Sequence, residues 1–72
     1  MREQIFNLMD NIMRLPSGTI NENSVMEDIP EWDSLAHVLI IGELEEKLGI
    51  EIPLDEAVEI TTVKEILEKA GV

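Results

Sequence analysis

Apolar residues recur through the first fourteen positions with the spacing of one helix face. Ile5, Leu8, Met9 and Ile12 fall at i, i+3, i+4 and i+7, and Phe6 and Met13 widen the stripe, which predicts a helix over residues 1–14. Leu15-Pro16-Ser17-Gly18 stops it, because proline cannot continue the ladder and glycine supplies turn geometry. From Pro16 to about Trp32 no period is sustained. Asn21, Asn23, Ser24, Asp28 and Pro30 are turn formers, whereas Ile20, Val25, Met26 and Ile29 are scattered apolar anchors. A connection of this length is expected to be pinned to the core by those anchors rather than left structureless.

A second helix is predicted over residues 34–48. Asp33 stands at its N-cap, where a carboxylate accepts from exposed backbone N–H groups, and Lys47-Leu48-Gly49 supplies the stop. Ile50-Glu51-Ile52-Pro53 alternates like a strand but is too short and too isolated to make a sheet. Residues 55–60 read as a helical turn or two. Thr62-Val63-Lys64-Glu65 has the spacing of a capping box, and the last helix runs to about Ala70, with Val63, Ile66 and Leu67 inward and Gly71 closing it. The fold class expected is all-α: a small bundle of three main helices and one short one, with a long loop between the first two.

Size and charge narrow what such a bundle does. The chain has 72 residues, and at ~60 residues folding buries only ~60% of the unfolded surface, so residues 1–72 are expected to be one domain without a deep catalytic cleft. No stretch approaches the ~18 apolar residues of a membrane span, and Met1-Arg2-Glu3-Gln4 does not read as a secretory signal. There is no cysteine, which excludes disulfides and thiolate metal sites, and the single histidine, His37, makes zinc improbable. Sixteen acids against five Lys and Arg give a net charge of −11. Nucleic acids and anionic membranes call for the opposite sign. The charge suits a basic protein partner, and it serves equally as a plain solubility device.

Candidate chemistry gathers at Trp32-Asp33-Ser34-Leu35. A hydroxyl in the first turn of a helix lies beside unpaired N–H groups and the positive end of the dipole, so a phosphate esterified to Ser34 would be stabilised there. Serine at a helix start is also an ordinary capping residue. Asp33, Ser34 and His37 suggest a hydrolytic triad, but residues on one helical turn do not aim a base at a nucleophile, and no glycine-rich oxyanion loop exists. His37 instead projects to the side of Ile41, Leu44 and Leu48, as a half-buried packing residue.

Asp33-Ser34-Leu35, then Leu44-Glu45-Glu46-Lys47-Leu48-Gly49-Ile50, Glu51-Ile52-Pro53 and Ile60-Thr61-Thr62-Val63, together resemble the acyl carrier proteins over essentially the whole chain. The resemblance implies that Ser34, flanked by Asp33 and Leu35, receives a 4′-phosphopantetheine arm from coenzyme A through a phosphopantetheinyl transferase. The arm's thiol would carry acyl groups as thioesters to acyl-loading and acyl-transferring enzymes of fatty-acid, polyketide or other specialised biosynthesis. It implies a cytoplasmic monomer that is not itself an enzyme and holds no metal. The helix after Ser34 would be the recognition helix. Leu35 is expected to reach back into the bundle, and Val38, Ile41, Leu44, Ile52, Ile60 and Val63 to line an interior that is core in any case and optionally shelters the acyl chain.

The chain departs from the family's pattern just after Ser34. At ~100° per residue the outer face of the second helix should include Ala36, Leu39, Ile40, Glu43 and Glu46. Fatty-acid carriers usually have acids where Ala36 and Leu39 stand. Partner contacts are therefore expected to use apolar burial at the base of the arm, with Glu43 and Glu46 meeting basic residues further along. Trp32 is read both as a loop anchor and as a partner contact. Trp32 and His37 resemble carriers of specialised pathways, and an aminoacyl or peptidyl carrier is the alternative reading.

Overall fold

In a computed structural model describing residues 1–72, the apolar stripe of the first segment becomes α1 (Arg2–Met13), which buries Ile5, Leu8, Met9 and Met13. It ends one residue before the expected boundary. Arg14 adopts the left-handed conformation (φ 57°), and the N–H groups of Arg14 and Leu15 return to the carbonyls of Asn11 and Asp10, so the turn is made before Pro16 is reached.

The loop that follows is pinned, but not by apolar anchors alone. Ile20 is buried and Val25, Met26 and Ile29 are half-buried, as their pattern suggests. Two polar attachments add to them. Asp10, buried on α1, accepts the backbone N–H of Gly18 and of Ile20, each at 3.0 Å. Further on, Val25 forms an isolated antiparallel bridge with Thr62: Met26 N–H donates to the Thr61 carbonyl (2.8 Å) and Val63 N–H to that of Ser24 (3.0 Å). A short 3-10 turn at Met26–Asp28 follows.

The remaining helices are α2 (Ser34–Leu48), α3 (Leu54–Ala57) and α4 (Val63–Ala70). Gly49 caps α2 with φ 68°, a conformation that glycine adopts without penalty. α3 is shorter than the expected 55–60 and starts one residue earlier, because Pro53 enters it as N-cap with φ fixed near −57° and turn-like bonds carry the chain from Val58 to Ile60. The capping box of α4 forms as its spacing predicts: Thr62 Oγ1 accepts from Glu65 N–H (3.2 Å), and Glu65 Oε1 accepts from Thr62 N–H (3.1 Å). The fold is all-α, three helices of some length and one single turn, with Ile5, Met9, Ile40, Leu44, Val63 and Ile66 fully buried at the centre. No helix is long and apolar enough to cross a membrane.

The facing of α2 corrects the sequence reading. Ala36 and Ile40 are buried with His37 and Leu44, whereas Leu35 (70% exposed), Val38 (61%) and Leu39 point outward with Gly42, Glu45 and Glu46. Ala36 and Ile40 thus do not belong to the outer face, Leu35 does not reach back into the bundle, and Val38 is not an interior residue. The cause is compositional. Residues 35–41 are apolar except for His37, so periodicity alone hardly distinguishes one side of the first two turns from another. Tertiary packing on α1 and the fixed start at Asp33 choose the side.

Candidate functional site at the start of α2

The geometry at Ser34 begins with its neighbour. Asp33 is extended (φ −98°, ψ −175°) and its Oδ1 accepts the N–H of Ala36 at 2.9 Å, while its carbonyl takes the N–H of His37. Asp33 is therefore the cap. Ser34, the first helical residue, is exposed, and its hydroxyl forms no hydrogen bond within the protein. The backbone N–H groups of Ser34 and Leu35 likewise have no acceptor in the chain, as expected for the first turn of a helix. The site thus offers a free hydroxyl beside two unpaired N–H donors at the positive end of a fifteen-residue helix.

Trp32, two residues before Ser34, is only 2% exposed. This removes it from the surface available to a partner and makes it the anchor of the loop's end. Its indole lies 6.0 Å from the His37 ring, tilted by 31°, and Nε1–H donates to His37 Nδ1 at 3.0 Å. An indole nitrogen only donates, so Nδ1 is the acceptor and the ring proton sits on Nε2, which donates to the Ala57 carbonyl at 2.7 Å. His37 is buried rather than half-buried, and both of its nitrogens are committed away from Ser34. It does not serve as a base toward that hydroxyl.

The other expected site residues divide between surface and core. Leu39 and Glu46 are exposed, as anticipated. Glu43 is half-buried and pairs through one oxygen with Lys47 at 2.9 Å, a bond and a charge that together hold the Lys47 ammonium above its ordinary range. Leu44, Ile52, Ile60 and Val63 are buried, and Ile41 half-buried. None of them lines the three main recesses, each of about 400 Å³, which lie on the surface between α1 and α2, beside Val25 and Thr61, and along Val38, Leu39 and Glu46. The sequence does not predict the bonds of Asp10 or of the Trp32–His37–Ala57 chain. Their sequence signals are faint: one acid beside Met9 on the buried side of α1, and one histidine on an otherwise apolar stretch of α2.

Comparison with known proteins places this geometry. The model of a family described as "Phosphopantetheine attachment site" matches residues 3–69. An acyl carrier protein of Rubrobacter xylanophilus is 53% identical over 47 residues, covering 65% of this chain and 57% of that protein. One from Thermosynechococcus vestitus is 42% identical over 53 residues, covering 74% of this chain and 64% of that protein. The matches thus span less than two thirds of either relative's length. Such a match implies a covalently attached 4′-phosphopantetheine. The start of α2 fits that group: an exposed, unengaged hydroxyl for the ester, and unpaired N–H donors for its anionic phosphate.

Proposed function

The chain belongs to the phosphopantetheine-attachment family, and on that premise we propose that it is an acyl carrier protein whose arm is joined to Ser34. The supporting observation is the division of labour at the helix start. Asp33 takes the capping bond, so Ser34 is not needed as a cap and its hydroxyl is left free at the surface. When bound, the arm supplies a terminal thiol on which acyl groups ride as thioesters, chemistry that a cysteine-free chain cannot supply itself. The protein's own contribution is presentation: a tethered cargo is met by each enzyme at high effective concentration. His37 is bonded elsewhere and does not activate the hydroxyl, so its proton would be removed by the transferase.

The recognition face would be the exposed side of α2. Leu35, Val38 and Leu39 supply apolar surface around Ser34, and Glu45 and Glu46 supply negative charge about three turns on from the serine. This pattern suits a transferase or biosynthetic enzyme with an apolar contact near the serine and basic residues beyond it. Acting as a monomer in the cytoplasm, the carrier would serve fatty-acid, polyketide or other specialised synthesis. The apolar character of that face, in place of acids, also favours the second reading of an aminoacyl or peptidyl carrier.

Incubation with a phosphopantetheinyl transferase and coenzyme A, read by intact mass, tests the proposal. One phosphopantetheinyl group should add to the wild type and none to Ser34→Ala. No gain in the wild type defeats the carrier reading, and a gain that persists in Ser34→Ala moves the attachment elsewhere. Loading with acyl, malonyl and aminoacyl donors then separates the two cargo classes.

A further inference from the structure

α3 is a single turn of four residues, too short to hold its own shape, since isolated helices below about 12 residues are marginal in water. Only Ala57 in it is buried; Leu54 and the following Val58 are about 70% exposed. Three contacts fix it in place. The Ala57 side chain enters the core, and Glu56 pairs with Lys69 of α4 at 2.6 Å across exposed surface, a type of contact that stabilises little. The third contact is buried: the His37 Nε2–H bond to the Ala57 carbonyl, where the turn ends. The other nitrogen of that ring takes the indole N–H of Trp32, just ahead of Ser34. One imidazole therefore joins the chain leading into the serine, the first turn of α2, and α3.

We infer that His37 is a positioning residue that holds α3 in a fixed relation to Ser34, so that the phosphopantetheinyl transferase meets the exposed apolar side chains of both elements, Leu35 and Val38 on α2 and Leu54 and Val58 on α3, already ordered. Held loosely, α3 would have to be ordered on each docking, and that cost would appear in affinity rather than in chemistry. The docking consequence rests on the carrier reading of Ser34; the tie itself does not. Substitutions separate the two bonds. Gln at 37 places an amide donor near the position of Nε2, whereas Phe keeps the ring volume and neither bond.

The tie is tested on the unmodified protein. Nitrogen-15 spectra of the His37 ring should show Nδ1 bare and Nε2 protonated; the opposite tautomer overturns the inference. In His37→Phe, amide exchange at Val58 and Ile60 should quicken about tenfold, as for one lost buried hydrogen bond, with α1 and α4 little changed. Protection should return in His37→Gln. Unchanged exchange, or an equal increase in every helix, overturns the inference. Docking is read from transferase kinetics: His37→Phe should raise KM for the carrier about threefold to tenfold with kcat unchanged, and His37→Gln should restore it. A loosened α3 with an unaltered KM overturns the docking role. A wild type that accepts no arm defeats the carrier reading and the docking role with it, while the exchange result still decides the tie.

Discussion

Asp10 carries more of the architecture than a lone acid on an apolar helix suggests. It is 2% exposed, and each of its oxygens accepts one N–H from the loop, Gly18 at one and Ile20 at the other. The bond to Ile20 is buried. Asp10→Ala strands that N–H away from water, so a loss of about 1–3 kcal/mol is expected, measured by urea unfolding. Asp10→Asn retains one acceptor oxygen and should lose less. If Asp10→Ala unfolds at the wild-type midpoint, the loop is held by Ile20 and the Val25–Thr62 bridge without help from the carboxylate. Residues of this kind mark where sequence reading stops. Asp33 and Ser34 were legible because a cap bonds to N–H groups three residues away. The acceptor of His37 lies twenty residues distant, and periodicity says nothing about such pairs. The same limit leaves Trp32 open in the sequence between loop anchor and partner contact, and its burial makes it an anchor.

Among the elements, legibility follows the contrast between faces. α4 is sharply two-sided and announced by its capping box, and its start and its buried Val63, Ile66 and Leu67 follow from the pattern. For α2 the sequence predicts both ends, but the outer face lies about one position from the predicted one because the first turns are apolar all round. The box on α4 also predicts a pH response. Glu65 Oε1 accepts first from the Thr61 N–H and also from Thr62, bonds that together outweigh the opposing effect of burial and hold its carboxyl below the ordinary value of 4.5. The folded state therefore prefers the ionised form. Its contribution to stability is complete above the unfolded value and is lost as pH falls below 4.5 through the lowered folded value. Glu65→Gln keeps an acceptor oxygen in the box without titrating, so the acid limb of its stability curve, below about pH 4.5, should be shallower than that of the wild type. Parallel limbs in urea titrations across that range would mean the box is insensitive to the charge of Glu65.

At the scale of the whole molecule, charge and size act together. The chain bears a net charge of −11 within 27 × 22 × 19 Å. Only three ion pairs form, Arg2–Glu22, Lys47–Glu43 and Lys69–Glu56, all at the surface, where each contributes about 0–1 kcal/mol. The screening length decides which interaction salt affects most. At about 0.01 M it is ~30 Å, longer than the molecule, so every carboxylate repels every other; at 1 M it is ~3 Å, and repulsion survives only between near neighbours. Added salt weakens the three attractive pairs as well, but short contacts of 2.6–2.9 Å are screened less than repulsions spread over the whole surface. The melting temperature should therefore rise as sodium chloride is raised from about 0.01 to 0.5 M, following the Debye length rather than saturating at low concentration. Glu45→Gln, which removes an exposed charge on the crowded side of α2, should raise the melting point at low salt and leave it unchanged at high salt. The opposite trend, a melting point that falls with salt, would show that the three ion pairs outweigh the self-repulsion. In that case the acidity would serve to steer partners at no cost to the fold, instead of opposing it.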